Sequence, residues 1–145
     1  MTISYGDICH QVANTLKGAQ GVKRVEAFDQ IQESISVLPT LHVYMDAGDI
    51  DSETDRSTYG AGVRVWRVTI KIDGYARVRS HISTDLKEQM ALTDAIDTIL
   101  STQDGETMYG TPYIRAHHWS WERGSLMYGT KDYAAVTFTL KLTIF

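Results

Sequence analysis

A single cysteine, Cys9, is present in the 145 residues, so no disulfide can close within the chain and no cysteine-rich zinc site can form. Long apolar runs are missing as well. Nowhere do about eighteen apolar residues come together, and the first residues, Met1 to Asp7, lack the basic and apolar blocks of a secretory leader. The expectation is a chain that neither spans a membrane nor is secreted. Internal repeats, low-complexity tracts and interdomain linkers are also absent. With 43% apolar and 22% charged residues, the composition is that of one globular domain over 1–145.

Signatures of chemistry are equally scarce. Gly60 and Gly62 precede a strand, whereas a phosphate-binding glycine loop opens a helix whose N-terminus meets the anion. Cys9 and His10 are neighbours on a helix, about 100° apart, and cannot act as a thiol and its base. His117 and His118 are consecutive in a strand and leave on opposite faces, and His10, His42 and His81 stand alone, so structural roles suit them better than a metal set. No cofactor, metal or catalytic residue is expected, and the chain is not expected to be an enzyme. An isoelectric point of about 5.7 argues against indiscriminate coating of nucleic acid.

What the chain does have is a strong β pattern. Val136, Phe138, Leu140, Leu142 and Ile144 alternate with Thr137, Thr139, Lys141 and Thr143, which predicts a strand inside a sheet. Trp66, Val68, Ile70 and Ile72 alternate with Arg67, Thr69, Lys71 and Asp73 in the same way, and the phase slips near Val65–Trp66. Further strands are expected over 22–28, 40–45 and 113–122. Helices are expected over 5–17, where Ile8, Val12 and Leu16 share a face, and over 85–100, with Asp85 and Glu88 as a capping box. Residues 123–132 read as a second long loop. The fold class is α+β: a mostly antiparallel (mixed) β-sheet with two helices packed on one face and a long loop between two strands.

That long loop, 46–62, is acidic at its start: residues 46–55 hold Asp46, Asp49, Asp51, Glu53 and Asp55 and no base. An EF-hand is excluded, because counting from Asp49 the required glycine is Thr54 and the bidentate glutamate is Gly60. An irregular divalent-ion site stays open beside a solvated or partner-facing loop. The next stretch carries Arg64, Arg67, Lys71, Arg77 and Arg79 against Asp73 alone. Adjacent blocks of opposite sign suit copies meeting head to tail, acid against base, and equally suit neutralisation within one molecule. In 113–122 the alternation sets Tyr113, Arg115, His117, Trp119 and Trp121 on one face. Trp119 and Trp121 could stack single-stranded bases, but without a Lys/Arg cluster beside them core or subunit packing is the better reading.

In layout the chain resembles the tail terminator (tail completion) proteins of long-tailed bacteriophages. The resemblance rests on a short N-terminal helix ending in Gly18-Ala19-Gln20-Gly21-Val22, then Leu38-Pro39-Thr40-Leu41-His42-Val43, a long loop, the Val65 to Asp73 strand, the helix after Asp85 and the alternating C-terminal strand. It implies a subunit of a hexameric ring that caps the tail tube, ends tube polymerisation and forms the head–tail joining surface. The implied partners are copies of itself, the tail tube protein and a neck or head-completion protein, with DNA passing through the lumen without sequence-specific contact. The implied place is the head-proximal end of the virion tail, after synthesis in the host cytoplasm. Asp46, Asp49, Asp51, Glu53 and Asp55 then form an assembly or lumen loop, and Arg64, Arg67, Lys71, Arg77, Arg79, Trp119 and Trp121 a subunit interface. A head-completion or neck protein of the same virion is the nearest alternative. A small metal-dependent or single-stranded nucleic-acid-binding module is the alternative of another class.

Overall fold

A computed structural model describes residues 4–51 and 65–145. Helix α1 spans Tyr5–Leu16, strand β1 Arg24–Ala27, β2 Thr40–Asp51, β3 Val65–Val78, helix α2 Ile82–Ser101, β4 Ile114–Tyr128 and β5 Lys131–Ile144. The strands form one five-stranded sheet in the order β1-β2-β3-β5-β4. Only β1 and β2 run parallel; the other three pairs are antiparallel. The α+β sheet with two helices on one face is thus as the alternation and helical spacing led us to expect.

Helix α1 begins in a capping box that the sequence reading did not include. The Ser4 Oγ accepts the Asp7 N–H at 3.1 Å, and the Asp7 carboxylate accepts the Ser4 N–H at 3.4 Å. Its apolar face, Ile8, Val12 and Leu16, is completely buried. Helix α2 starts one turn earlier than expected, after His81, whose side chain makes no cap hydrogen bond. Asp85 therefore lies inside the first turn, buried, where its carboxylate accepts the Ser80 N–H at 3.2 Å and faces Arg77 Nε at 3.3 Å. Negative charge in a first turn complements the helix dipole, which is why this carboxylate still serves the N-terminus.

The core lies between the helices and the inner sheet face: Leu41 and Val43 of β2, Val68, Ile70 and Ile72 of β3, and Val136, Phe138, Leu140, Leu142 and Ile144 of β5, met by Val12, Leu92, Ile96 and Leu100. At Gly74 the layers come closest. A Cβ there would stand 2.9 Å from Leu92 Cδ2 and 3.2 Å from Leu41 Cδ2, so the position accepts no side chain without displacement.

Several expectations need correction. The segment 46–51 is strand, not loop: β2 continues past a bulge between Met45 and Ala47, and Asp49 and Asp51 pair with Arg67 and Val65 of β3. Ladder pairing with β3 overrides the low β-propensity of Asp and Gly, and an acid opposite a base favours the register. Residues 123–132 likewise are not a loop, because β4 and β5 form a hairpin whose turn is Gly129 and Thr130 alone. Gly129, at φ 65°, holds the first central position of the turn, where positive φ is needed. Finally, the face assignment in β4 fails at its start. A register shift between Ile114 and Ala116 leaves Arg115 as the extra residue, so Ile114 is buried on the same side as His117 and Trp119. The slip expected near Val65–Trp66 brings no bulge either: β3 pairs there in unbroken register with β2, Val65 opposite Asp51 and Trp66 opposite Ile50, and its irregularity against β5 lies between Tyr75 and Arg77.

Candidate functional site

The two edges of the sheet are treated very differently. β1 is four residues long, and the chain folds back over its end: the Gln30 side-chain oxygen accepts the Ala27 N–H at 3.3 Å, and the Gln30 N–H goes to the Ala27 carbonyl at 2.8 Å. β4, the other edge, is fifteen residues long. From Arg115 to Ser125 all its side chains except those of His117 and Trp119 are exposed. A long strand with one unpaired side is a ready template for another chain.

Two tryptophans sit on this edge with unequal roles. Trp119 is half-buried, its Nε1–H donating to Asp97 of α2 at 2.8 Å, and its ring lies 5.0 Å from that of His117. His117 Nδ1 in turn is 2.8 Å from the hydroxyl of Tyr109, which is wholly buried. Burial pushes the Tyr109 phenol far above its ordinary range and the His117 ring below its own, so both stay neutral and tie β4 to the core. Trp121 is 43% exposed and Met127 65% exposed. Trp121 donates no hydrogen bond among the described residues. The aromatic face expected to be buried is therefore buried only at its Trp119 end.

The sheet face away from the helices is polar along most of its area. Tyr44 donates to Asp73 Oδ2 at 3.0 Å, Thr137 to Asp73 Oδ1 at 3.3 Å, and Lys71 Nζ to Thr139 at 2.8 Å. Desolvation, with the Asp73 carboxylate beside it, pushes the Tyr44 phenol up to about 12. At one end of this face the β4–β5 hairpin curls over and makes a small second core. There Tyr128 meets His42 and Tyr75 edge-on, Tyr133 meets Tyr75, and the Tyr128 hydroxyl donates to the Gln32 carbonyl. Glu26, buried beneath, faces Arg24 Nε at 2.7 Å, accepts the Gln32 N–H at 2.9 Å and lies 3.7 Å from His42 Nε2.

His42 gives a pH prediction. Its ring is buried, and desolvation lowers its pKa below the ordinary value against the opposing pull of Glu26 and Asp73. A folded pKa below the unfolded one means that the unfolded chain binds more protons between the two values, so stability rises with pH there. The contribution is complete above about pH 6.5 and is lost as pH falls through the folded value. Calorimetry is expected to show the melting temperature of the wild type falling between about pH 7 and 5, and falling less for His42→Gln. Equal slopes for the two proteins would assign the effect to other groups, His117 first, whose shift has the same sign.

The residues singled out in the sequence do not come together in one place. Asp46 and Asp49 are exposed on β2, and Asp49 stands opposite Arg67, so at this point the acidic and basic blocks meet within one subunit. Asp51 is in β2 as well; Glu53, Asp55 and Arg64 lie outside the described residues. Arg77 is engaged by Asp85 and by Ser80 Oγ at 2.7 Å, and Arg79 by Asp132 at 3.4 Å. Cys9 is buried, which raises its thiol pKa and keeps it unreactive. Among the described residues no group of three or more His, Cys, Asp and Glu side chains is placed to hold a metal ion, and no helix is long and apolar enough to cross a membrane.

No family model matches this sequence, and no curated protein does. The candidate site therefore rests on geometry alone. Tyr109 and the length of the β4 edge are the features that sequence reading missed. Tyr109-Gly110, both at positive φ, marks a tight turn of a kind that a Tyr-Gly pair does not announce.

Proposed function

We propose that this chain is a structural virion protein of a long-tailed bacteriophage, the subunit of a hexameric ring that caps the tail tube. The ring ends tube polymerisation at the head-proximal end and offers the joining surface to a neck or head-completion protein, with DNA passing through its lumen. The observation that carries the reading is the β4 edge. Among the described residues β4 has a fifteen-residue outer side without a strand partner, with an exposed tryptophan and methionine, which calls for another protein surface, while β1 is four residues long with its end tied by Gln30. Two such unlike edges suit a head-to-tail assembly, in which each subunit offers two different surfaces. The α+β architecture agrees with what the family resemblance implies.

Mixing the purified protein with tail tubes and imaging them by electron microscopy tests this. The expected result is a ring at one end of each tube and no elongation when further tube protein is added. Bare tube ends that continue to grow would refute the reading.

A further inference from the structure

The outer surface of the helix layer offers a place for the β4 edge of another copy. Between the end of α1 and α2 lies an open groove of about 570 Å³, with Gly18, Ala91 and Ala95 as small lining residues and Gln20, Asp94 and Thr98 as polar ones. From Asp85 to Glu106 the chain carries six acids and one base, Lys87. The hairpin from Ile114 to Lys131 carries three bases, Arg115, Arg123 and Lys131, and one acid, Glu122. Of these acids Asp94 alone lines the groove, and Arg123 is the base nearest Trp121 on the edge.

Resting on the ring reading for the identity of the partner, we propose that the groove between α1 and α2 receives the β4 edge of a second copy, with Trp121 as the inserted side chain and Arg123 meeting Asp94. Trp121 and Arg123 are two positions apart in β4 and so project on the same side of the strand. Both are exposed. The Arg123 guanidinium and the Asp94 carboxylate have no ion-pair partner among the described residues, and neither does the Trp121 indole N–H have an acceptor. Each therefore has unspent bonding capacity that the other surface matches: the small residues leave volume for the indole, Gln20 offers it a carbonyl oxygen, and the carboxylate takes the guanidinium. Aromatic and arginine side chains seated in a pocket are the usual centres of protein interfaces.

Within one subunit the two surfaces lie on different flanks of α2, whose Gln89 and Asp97 reach β4 while its Ala91, Ala95 and Ile99 line the groove toward the end of α1. A contact between unlike surfaces is heterologous, and repetition closes it into a ring or extends it into a filament. An isologous pairing of two β4 edges, by contrast, would stop at a dimer and leave the groove empty.

Complementation separates these cases. Trp121→Ala removes the inserted side chain and Ala91→Trp fills the groove; Ala91 is exposed, and an unchanged melting profile checks that both variants fold. Each alone is expected to need at least about thirtyfold more protein to associate than the wild type. Mixed in equal amounts, they are expected to form one-to-one heterodimers that do not grow, since only one productive interface can form between them. Sedimentation velocity reads all of these. Asp94→Arg is expected to fail alone and to associate with Arg123→Asp. Association of Ala91→Trp like that of the wild type, or a mixture that stays monomeric where the wild type associates, overturns the groove. A wild type that stays monomeric at millimolar concentration and on tubes overturns it too. If Ala91→Trp still forms rings on tail tubes, the groove is wrong and the ring reading stands; if the mixture dimerises but the wild type caps no tube, the groove stands and the tail reading fails.

Discussion

Replacing Leu140 with aspartate is expected to leave no folded protein at room temperature. Leu140 is fully buried in the interior strand β5, opposite Ile70 on one side and Trp119 on the other. Losing its apolar contacts costs about 2–5 kcal/mol, and an unpaired carboxylate at that depth costs several kcal/mol more, or protonates at comparable cost. The sum rivals the roughly 5–15 kcal/mol by which whole domains are stable. Circular dichroism and a melting scan are the measurement. A cooperative transition near that of the wild type would mean that the opposite face of β5 is the buried one.

Gly74→Val should be the next most damaging change, and for the opposite reason, since it adds atoms where none fit. A Cβ at this position meets Leu92, Leu41 and Val136, side chains from a helix and two flanking strands, at 2.9, 3.2 and 3.3 Å. All three are core residues. Moving them apart costs about 3 kcal/mol by the usual scale of overpacking, or about 10 °C in melting temperature for a domain of this size. Gly124→Ala is the control. Nothing lies within 4 Å of its added Cβ and its backbone is extended, so its melting temperature is expected to stay within about 2 °C of wild type. A similar loss at both glycines would mean that the cost comes from the backbone and not from the close approach of α2 to the sheet.

Periodicity revealed the parts of this fold whose burial is decided locally. Strand β5 and the middle of β3 alternate cleanly because one face meets helices and the other meets polar side chains. Helix α1 shows its face through Ile8, Val12 and Leu16 for the same reason. What escaped is held by partners distant in sequence. Acidic 46–51 becomes strand because β3 is there to pair with it, and Ser125 to Tyr128, with little β pattern of their own, become strand because β5 folds back on them. The start of β4 escaped because the extra residue at Arg115 puts Ile114 on the same side as His117 and Trp119, and no composition signal marks a bulge. For the candidate site, Trp119 and Trp121 were visible as aromatics on one face. Their division into a half-buried anchor on Asp97 and an exposed neighbour was not, because it depends on which α2 side chain each meets, and among the described residues only Trp119 finds an acceptor there.

The strand order also fixes when during synthesis this sheet can be completed. β5 lies between β3 and β4 although it follows both in the chain, so β3 and the helices above it have no partner on that side until residues up to Ile144 have been made. At about 5–20 residues per second, the nascent chain carries an open strand edge and an uncovered apolar layer for several seconds. Ribosome-bound intermediates ending before β5 are thus the form of this protein with the greatest need of a chaperone.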